Sequence, residues 1–295
     1  MLKTPHNPIL VTGSHRSGTS WVGRMLSLPS EIGYIHEPFH PKDRSGTCVG
    51  TFSRWFEHIQ GRDSGVRQCV QRALEFEYNP YPRLWTLGDG GHSVPRDLVG
   101  VGFNLVRAAT NRWFVRRPLM KDPIALLSAE WLHKTFDMEV VVMVRHPAAF
   151  AGSLKKKGWS FPFEDLLSQT ELMETSLKPY KAEIEAMCNK QSTIVEQAAL
   201  LWSCLYHVVS RYRERHPSWQ VVIYENLAGS PAPYYRRLYT RLDLQWTSRI
   251  ASKIKRRTEA NTESWKERLR KNEIQYIREE THDVWDQFYS RDSWR

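Results

Sequence analysis

The run NPILVTGSHRSGTSW at residues 7–21 constrains this chain more than any other. An apolar strand, Ile9 to Thr12, a glycine-bounded turn and a helix start follow in the order that a phosphate-cradling loop requires. Gly13 and Gly18 admit tight turns, and the amides from His15 to Ser20 converge on an anion at the positive end of the helix. The lysine of the pattern GxxxxGK[ST] is missing: the loop reads GSHRSGTS, with Thr19 in its place. That removes the charge ordinary ATP chemistry relies on. The nearest substitute is Arg16, whose planar fork suits phosphate oxygens.

The rest of the pattern continues an alternation of strands and helices. Glu139 to Val144 and Gln220 to Tyr224 read as buried strands, and Pro118 to Lys121 as a shorter one. Helical spacing covers Ser17 to Leu28, Ile124 to Phe136, Pro147 to Lys156 and Ile194 to Arg215. The expected fold is α/β, a parallel central sheet flanked by helices of the P-loop nucleotide-binding type. Without linker or repeat, residues 1–295 form one domain. Two embellishments stand out. A loop-rich insertion spans about residues 40–117, with one helix near Ser64 to Phe76, and a helical C-terminal segment spans about 247–295, with Trp265, Leu269, Ile274 and Ile277 as its inward stripe.

A second anion site follows the strand at Glu139 to Val144, where RHPAAFAGSL puts Arg145 at the strand end and Pro147 at the first turn of a helix. Ser153 lies two turns further on. Whether Arg145 and Ser153 meet one ligand depends on how the chain bends at Pro147. The net charge of +10 favours anionic partners. The runs Lys155 to Lys157 and Lys253, Lys255, Arg256 and Arg257 are equally compatible with a solvated helix face and with a ligand role. Four dispersed cysteines, without CxxC spacing, read as reduced and mostly buried thiols. No histidine pairs with carboxylates or cysteines at zinc spacing, so no metal is expected. Without an apolar leader or an 18-residue apolar stretch, a soluble cytoplasmic protein with no membrane span is expected.

Together, HRSGTSW and RHPAAFAGSL resemble the two nucleotide-binding signatures of sulfotransferases that use 3'-phosphoadenosine 5'-phosphosulfate (PAPS). HEPF at His36 to Phe39, KDP at Lys121 to Pro123, YENL at Tyr224 to Leu227 and SWKERL at Ser264 to Leu269 extend the resemblance over nearly the whole chain. It implies that His15, Arg16, Ser17, Gly18, Thr19 and Ser20 grip the 5' end of PAPS, with Trp21 beside the adenine. It implies that Arg145 and Ser153 bind the 3'-phosphate. A C-terminal segment closes over the nucleotide in that family; here Arg256, Arg257, Trp265 and Lys266 are its candidates, although their spacing departs from the cytosolic RKG pattern.

The resemblance implies transfer of a sulfuryl group from PAPS to a hydroxyl or amine of a carbohydrate or small-molecule acceptor, without a metal. Arg16 then offsets charge on the leaving phosphate oxygen. Glu37 of HEPF is the expected general base and His36 its adjacent rival; a glutamate near the reference value of about 4.3 needs burial to raise it toward working pH. Lys121 and Asp122 either face the same crevice or form a surface ion pair. Tyr78, Tyr81, Trp85, Trp159 and Phe161 are candidates to stack on a sugar or aromatic acceptor. A kinase or NTPase with an atypical loop, and a basic nucleic-acid or glycan-binding module, are the alternatives; no nucleic-acid partner is expected, because no groove-reading motif is present.

Overall fold

The computed structural model describes residues 7–41, 47–61, 63–77, 115–256 and 262–294, together with 102, 105, 106, 109–111 and 113. Arg257, Tyr78, Tyr81 and Trp85 lie outside the described residues. Among the described residues, five strands form one sheet in the order β2-β3-β1-β4-β5. They are β1 (Ile9–Gly13), β2 (Ile32–His36), β3 (Arg117–Lys121), β4 (Glu139–Val144) and β5 (Gln220–Ile223). Every pairing is parallel, so all five carboxyl ends lie on one edge. The chain leaves β1 toward β2 and leaves β4 toward β5 on the opposite side. This reversal opens a crevice between β1 and β4, where ligands of open α/β sheets gather.

Side-chain alternation divides the core into two layers. Leu10, Met120, Val140, Val142 and Val144 face one layer, while Ile9, Val11, Leu119, Val141 and Met143 face the other. The second layer is closed by α1 (Thr19–Leu26) and by Tyr235, Leu238 and Tyr239. On the first, after α2 (Ser64–Leu74) and α3 (Ala129–Phe136), pack α4 (Pro147–Lys157), α5 (Lys181–Asn189) and α6 (Ile194–Arg215). The 22-residue α6 starts at a capping box between Thr193 and Glu196 and buries Trp202, Tyr206 and Tyr212. Lys155 of α4 is ion-paired at 2.7 Å with Glu273 of α7 (Lys271–Glu280), so this member of the basic run fastens two helices.

The expected α/β architecture and its four strands are present, with differences that have physical causes. β2 escaped the sequence reading because IGYIH is short, carries a glycine and runs into a proline-containing turn. The helix expected from Ile124 opens as a tight 3-10 stretch to Ser128 before α3 begins. In the C-terminal stripe Trp265, Leu269 and Ile277 are buried, and Ile274 packs partly buried against them.

The reduced-thiol expectation is corrected: Cys48 and Cys69 form a disulfide. Their 21-residue separation has none of the spacing signals of a metal or redox pair, and only the fold brings the loop before residue 53 against α2. Cys188 and Cys204 are free. Thiol titration of the denatured, unreduced protein should therefore find two reactive groups, rising to four after reduction. Reduction should lower stability by about 2–4 kcal/mol in thermal or denaturant unfolding.

Candidate active site

The loop after β1 and the turn after β4 meet directly. Arg145 Nη1 donates to the Arg16 carbonyl at 2.6 Å, and Arg16 Nε donates to Ser153 Oγ at 2.9 Å. The bend at Pro147 therefore carries Ser153 back over the loop. Arg16 occupies the left-handed region at φ 65, and Gly18 at φ 94. A Cβ on Gly18 would lie 2.5 Å from the Tyr224 ring, so the close approach admits only glycine. The amides of Gly18, Thr19 and Ser20 open α1 and have no carbonyl partner one turn earlier. Ser17 turns both its hydroxyl and its backbone amide back to the Ser14 carbonyl, at 2.6 Å and 3.2 Å, and so closes the turn of the loop.

Helix α6 holds this junction from below. Tyr206 donates to the Met143 carbonyl at 3.2 Å and shares a 2.8 Å hydrogen bond with Ser14 Oγ. Four residues earlier, on the same helix face, Trp202 Nε1 donates to the Arg145 carbonyl at 2.8 Å. Beside it, the Glu225 carboxylate accepts from the His146 amide at 3.0 Å and from the Tyr289 hydroxyl at 2.8 Å. Burial pushes Glu225 above the usual carboxylate range. None of Trp202, Tyr206 or Tyr289 carries a sequence signal for this role; each acts across more than 50 residues.

Three guanidinium groups converge. Arg16 is held below the ordinary arginine range by burial first, then by the charges of Arg145 and Arg268. Arg268 is the residue the sequence reading missed: its helical turn, Trp265–Arg268, packs on α4 at Gly152, one residue before Ser153. Trp265, a candidate for nucleotide contact, is buried and stacked on His146, with ring centroids 5.5 Å apart. Lys266 points to Glu263 at 3.1 Å. On the other flank the Arg145 guanidinium lies 4.9 Å from the centre of the Tyr224 ring, which also meets Trp21 edge-on at 5.8 Å.

The ends of β2 and β3 build the opposite wall. Lys121 is fully buried and its ammonium pairs with Glu37 Oε1, with His36 Nε2 at 3.4 Å. Lys121 and Asp122 are thus no surface ion pair. The Asp122 carboxylate accepts the Phe39 amide at 2.7 Å and the Ile124 amide at 3.0 Å. It thereby fixes the turn in which Glu37 adopts φ 44. His15 connects the two walls: burial first, then Arg16, lowers it to about 4, against an opposing pull from Glu37.

One edge of the parallel sheet thus gathers a lysine-free loop, clustered guanidinium groups and a carboxylate. The chain belongs to the sulfotransferase family, whose model matches residues 8–248. Solved structures similar to it include sulfotransferase STF9 from Mycobacterium avium, at 14% identity over 96% of this chain and 77% of that one with a TM-score of 0.49. The sulfotransferase domain of the Synechococcus PCC 7002 olefin synthase is 13% identical over 97% of this chain and 96% of that one, with a TM-score of 0.47. The sulfotransferase from Alicyclobacillus acidocaldarius is 13% identical over 98% and 99%, with a TM-score of 0.45. No curated protein matches the sequence. The protein is accordingly a sulfuryl-transferring enzyme, and the kinase and nucleic-acid alternatives are set aside.

Burial raises Asp122 from 3.8 to about 7, against the opposing pull of its two backbone hydrogen bonds and Lys121. A carboxyl raised on folding holds its proton longer in the native state, so its contribution to stability is largest below about pH 4 and is lost as the pH climbs to about 7. The stability difference between the wild type and Asp122→Asn, measured by denaturant unfolding, should therefore shrink from pH 4.5 to pH 7.5. A pH-independent difference contradicts this assignment.

Proposed function

We propose that the protein transfers the sulfuryl group of PAPS to a hydroxyl, or an amine, of a carbohydrate or small-molecule acceptor. One observation carries the reading: the hydrogen bonds joining Arg145, Arg16 and Ser153 merge two anion sites into one, as a nucleotide with phosphate at both its 5' and 3' positions requires. Unsatisfied groups favour such an occupant. Arg145 Nε and Trp21 Nε1 are buried with no hydrogen-bond partner among the described residues, beside the Tyr224 ring. Arg145 and Ser153 then take the 3'-phosphate, Trp21 and Tyr224 the base, and the loop amides from His15 to Ser20, apart from that of Ser17, the phosphosulfate. Arg268 supplies the C-terminal cation in preference to Lys266.

In the transfer, the acceptor oxygen attacks sulfur and the bond from sulfur to the bridging phosphate oxygen breaks. The acceptor proton goes to Glu37, and the bisphosphate leaves with its new negative charge facing Arg16 and the loop amides. Glu37 is favoured over His36. Its Oε1 engages Lys121 but its second carboxylate oxygen remains for the acceptor, whereas Nε2 of His36 lies against the Lys121 ammonium. A neutral imidazole facing an ammonium commits its lone pair there.

Among the described residues no helix is long and apolar enough to cross a membrane. The cytoplasmic expectation went together with reduced thiols. The bond between Cys48 and Cys69 favours an oxidising compartment.

Calorimetry should find that adenosine 3',5'-bisphosphate binds without magnesium and in preference to ATP; selective binding of magnesium-ATP would overturn the reading. Glu37→Gln should preserve bisphosphate affinity and lower sulfuryl transfer from radiolabelled PAPS roughly a hundredfold or more. Arg268→Ala should weaken bisphosphate binding roughly tenfold, the loss of one charge-assisted hydrogen bond, while Lys266→Ala leaves it unchanged.

A further inference from the structure

The wall beside Arg16 narrows the choice of acceptor. Trp159 follows α4 at a glycine-terminated end: Gly158 adopts φ 64, its amide donates to the Lys155 carbonyl at 3.1 Å, and the Trp159 amide donates to the Leu154 carbonyl at 3.1 Å. In such a cap the residue after the glycine commonly packs back against the last helical turn. Trp159 does not bury itself in this way: 46% of it is exposed. Its ring instead lies over the Arg16 guanidinium at 5.9 Å and near the His15 ring at 6.4 Å.

The His15 ring also lies 6.1 Å from Trp55, and Trp55 lies 5.1 Å from His40. Phe56 and Phe150 back this group from the core, at 5.8 Å and 5.3 Å from His15. Trp55 is half-buried and rigidly placed, because its amide donates to Asp165 at 2.9 Å and the neighbouring Phe56 carbonyl accepts from Gln169. The rings lead toward the proton acceptor, since the His40 amide donates to the Glu37 carbonyl at 3.2 Å. At their centre His15 Nδ1 is buried without a hydrogen-bond partner among the described residues. A large apolar surface left half open beside a polar group lacking a partner is the composition of a small-molecule subsite.

We infer that Trp159 and Trp55 form the two walls of an acceptor subsite for a six-membered ring that has one apolar face and a hydroxyl at its edge. The ring's face lies on the exposed indole, which gives contact area at little entropic cost. Its hydroxyl edge is directed along the His15 and His40 side toward Glu37. Phe161, a stacking candidate from the sequence, is buried against Phe56 and Phe163 and supports this floor without reaching the ligand. A phenol and a pyranose share this chemistry. The inference rests on the PAPS reading only in naming the occupant an acceptor.

The test is saturation-transfer NMR on the full-length protein with saturating adenosine 3',5'-bisphosphate, using 2-naphthol, methyl glucoside and, as a ringless alcohol, 1-hexanol. Transfer to ring protons of 2-naphthol or of the glucoside, with none to 1-hexanol, is expected, and whichever ring responds assigns the source. Trp159→Ala should reduce that transfer at least fivefold and Trp159→Phe should retain most of it. Bisphosphate affinity should be unchanged in both variants, which also reports intact folding. Bisphosphate binding with no ring transfer, or with transfer unaffected in Trp159→Ala, overturns the subsite alone. Ring transfer without any bisphosphate binding overturns the PAPS reading and, with it, the acceptor role.

Discussion

The hydrogen bond from Arg145 to the Arg16 carbonyl governs the geometry of the whole crevice. It ties the loop of the central strand to the turn of its neighbour at the point where the chain reverses direction across the sheet. Arg16 in turn reaches Ser153, so three segments far apart in sequence are fixed by two bonds. Two guanidinium groups held this close repel each other, and Arg268 adds a third cation; the depressed basicity of Arg16 records both burial and that repulsion. An anion relieves it. The protein's own packing bears the cost of assembling these charges before a ligand arrives, and this preorganisation makes electrostatic stabilisation effective when charge develops on a leaving oxygen.

The facing wall is built on the opposite economy, with charge neutralised inside the protein. Lys121 is buried at the end of β3 and meets Glu37, and the next residue, Asp122, is committed entirely to backbone amides. Removing Glu37 strands the fully buried Lys121 ammonium, and an unpaired buried charge is costly. The turn from His36 to His40 is therefore determined by strand-end chemistry. It holds Glu37 in a left-handed conformation that a non-glycine residue adopts only when its surroundings impose it.

Much of this was legible in the sequence because it is local. A strand, a glycine turn and a helix start are adjacent in the chain, so the anion loop, the second cationic turn and the central strands could be read from period and spacing. What could not be read is contact through space. Tyr206 and Trp202 look like ordinary core aromatics of a long helix, yet they bind the backbones of both loops. Cys48 and Cys69 meet only after the insertion has folded. In the C-terminal segment the family resemblance put Trp265 and Lys266 forward, while the chain's path over Gly152 brings Arg268 within electrostatic reach of Arg16. β2 was hidden for another reason: its five residues contain too little β-branched sequence to outweigh the turn beside them.

The two walls are mechanically joined through one residue. The backbone of His15 belongs to the anion loop, whereas its ring belongs to the aromatic group of Trp55, Phe56, Phe150 and Trp159. Burial keeps that imidazole neutral well below pH 7, so it adds no fourth cation beside Arg16. The ring meets both tryptophans, at 6.1 Å and 6.4 Å, so the loop and the aromatic group share one side chain. Trp159 is coupled a second time through the guanidinium of Arg16 beneath it. The anion side of the crevice and its aromatic side are thus in direct contact, over the length of a single side chain.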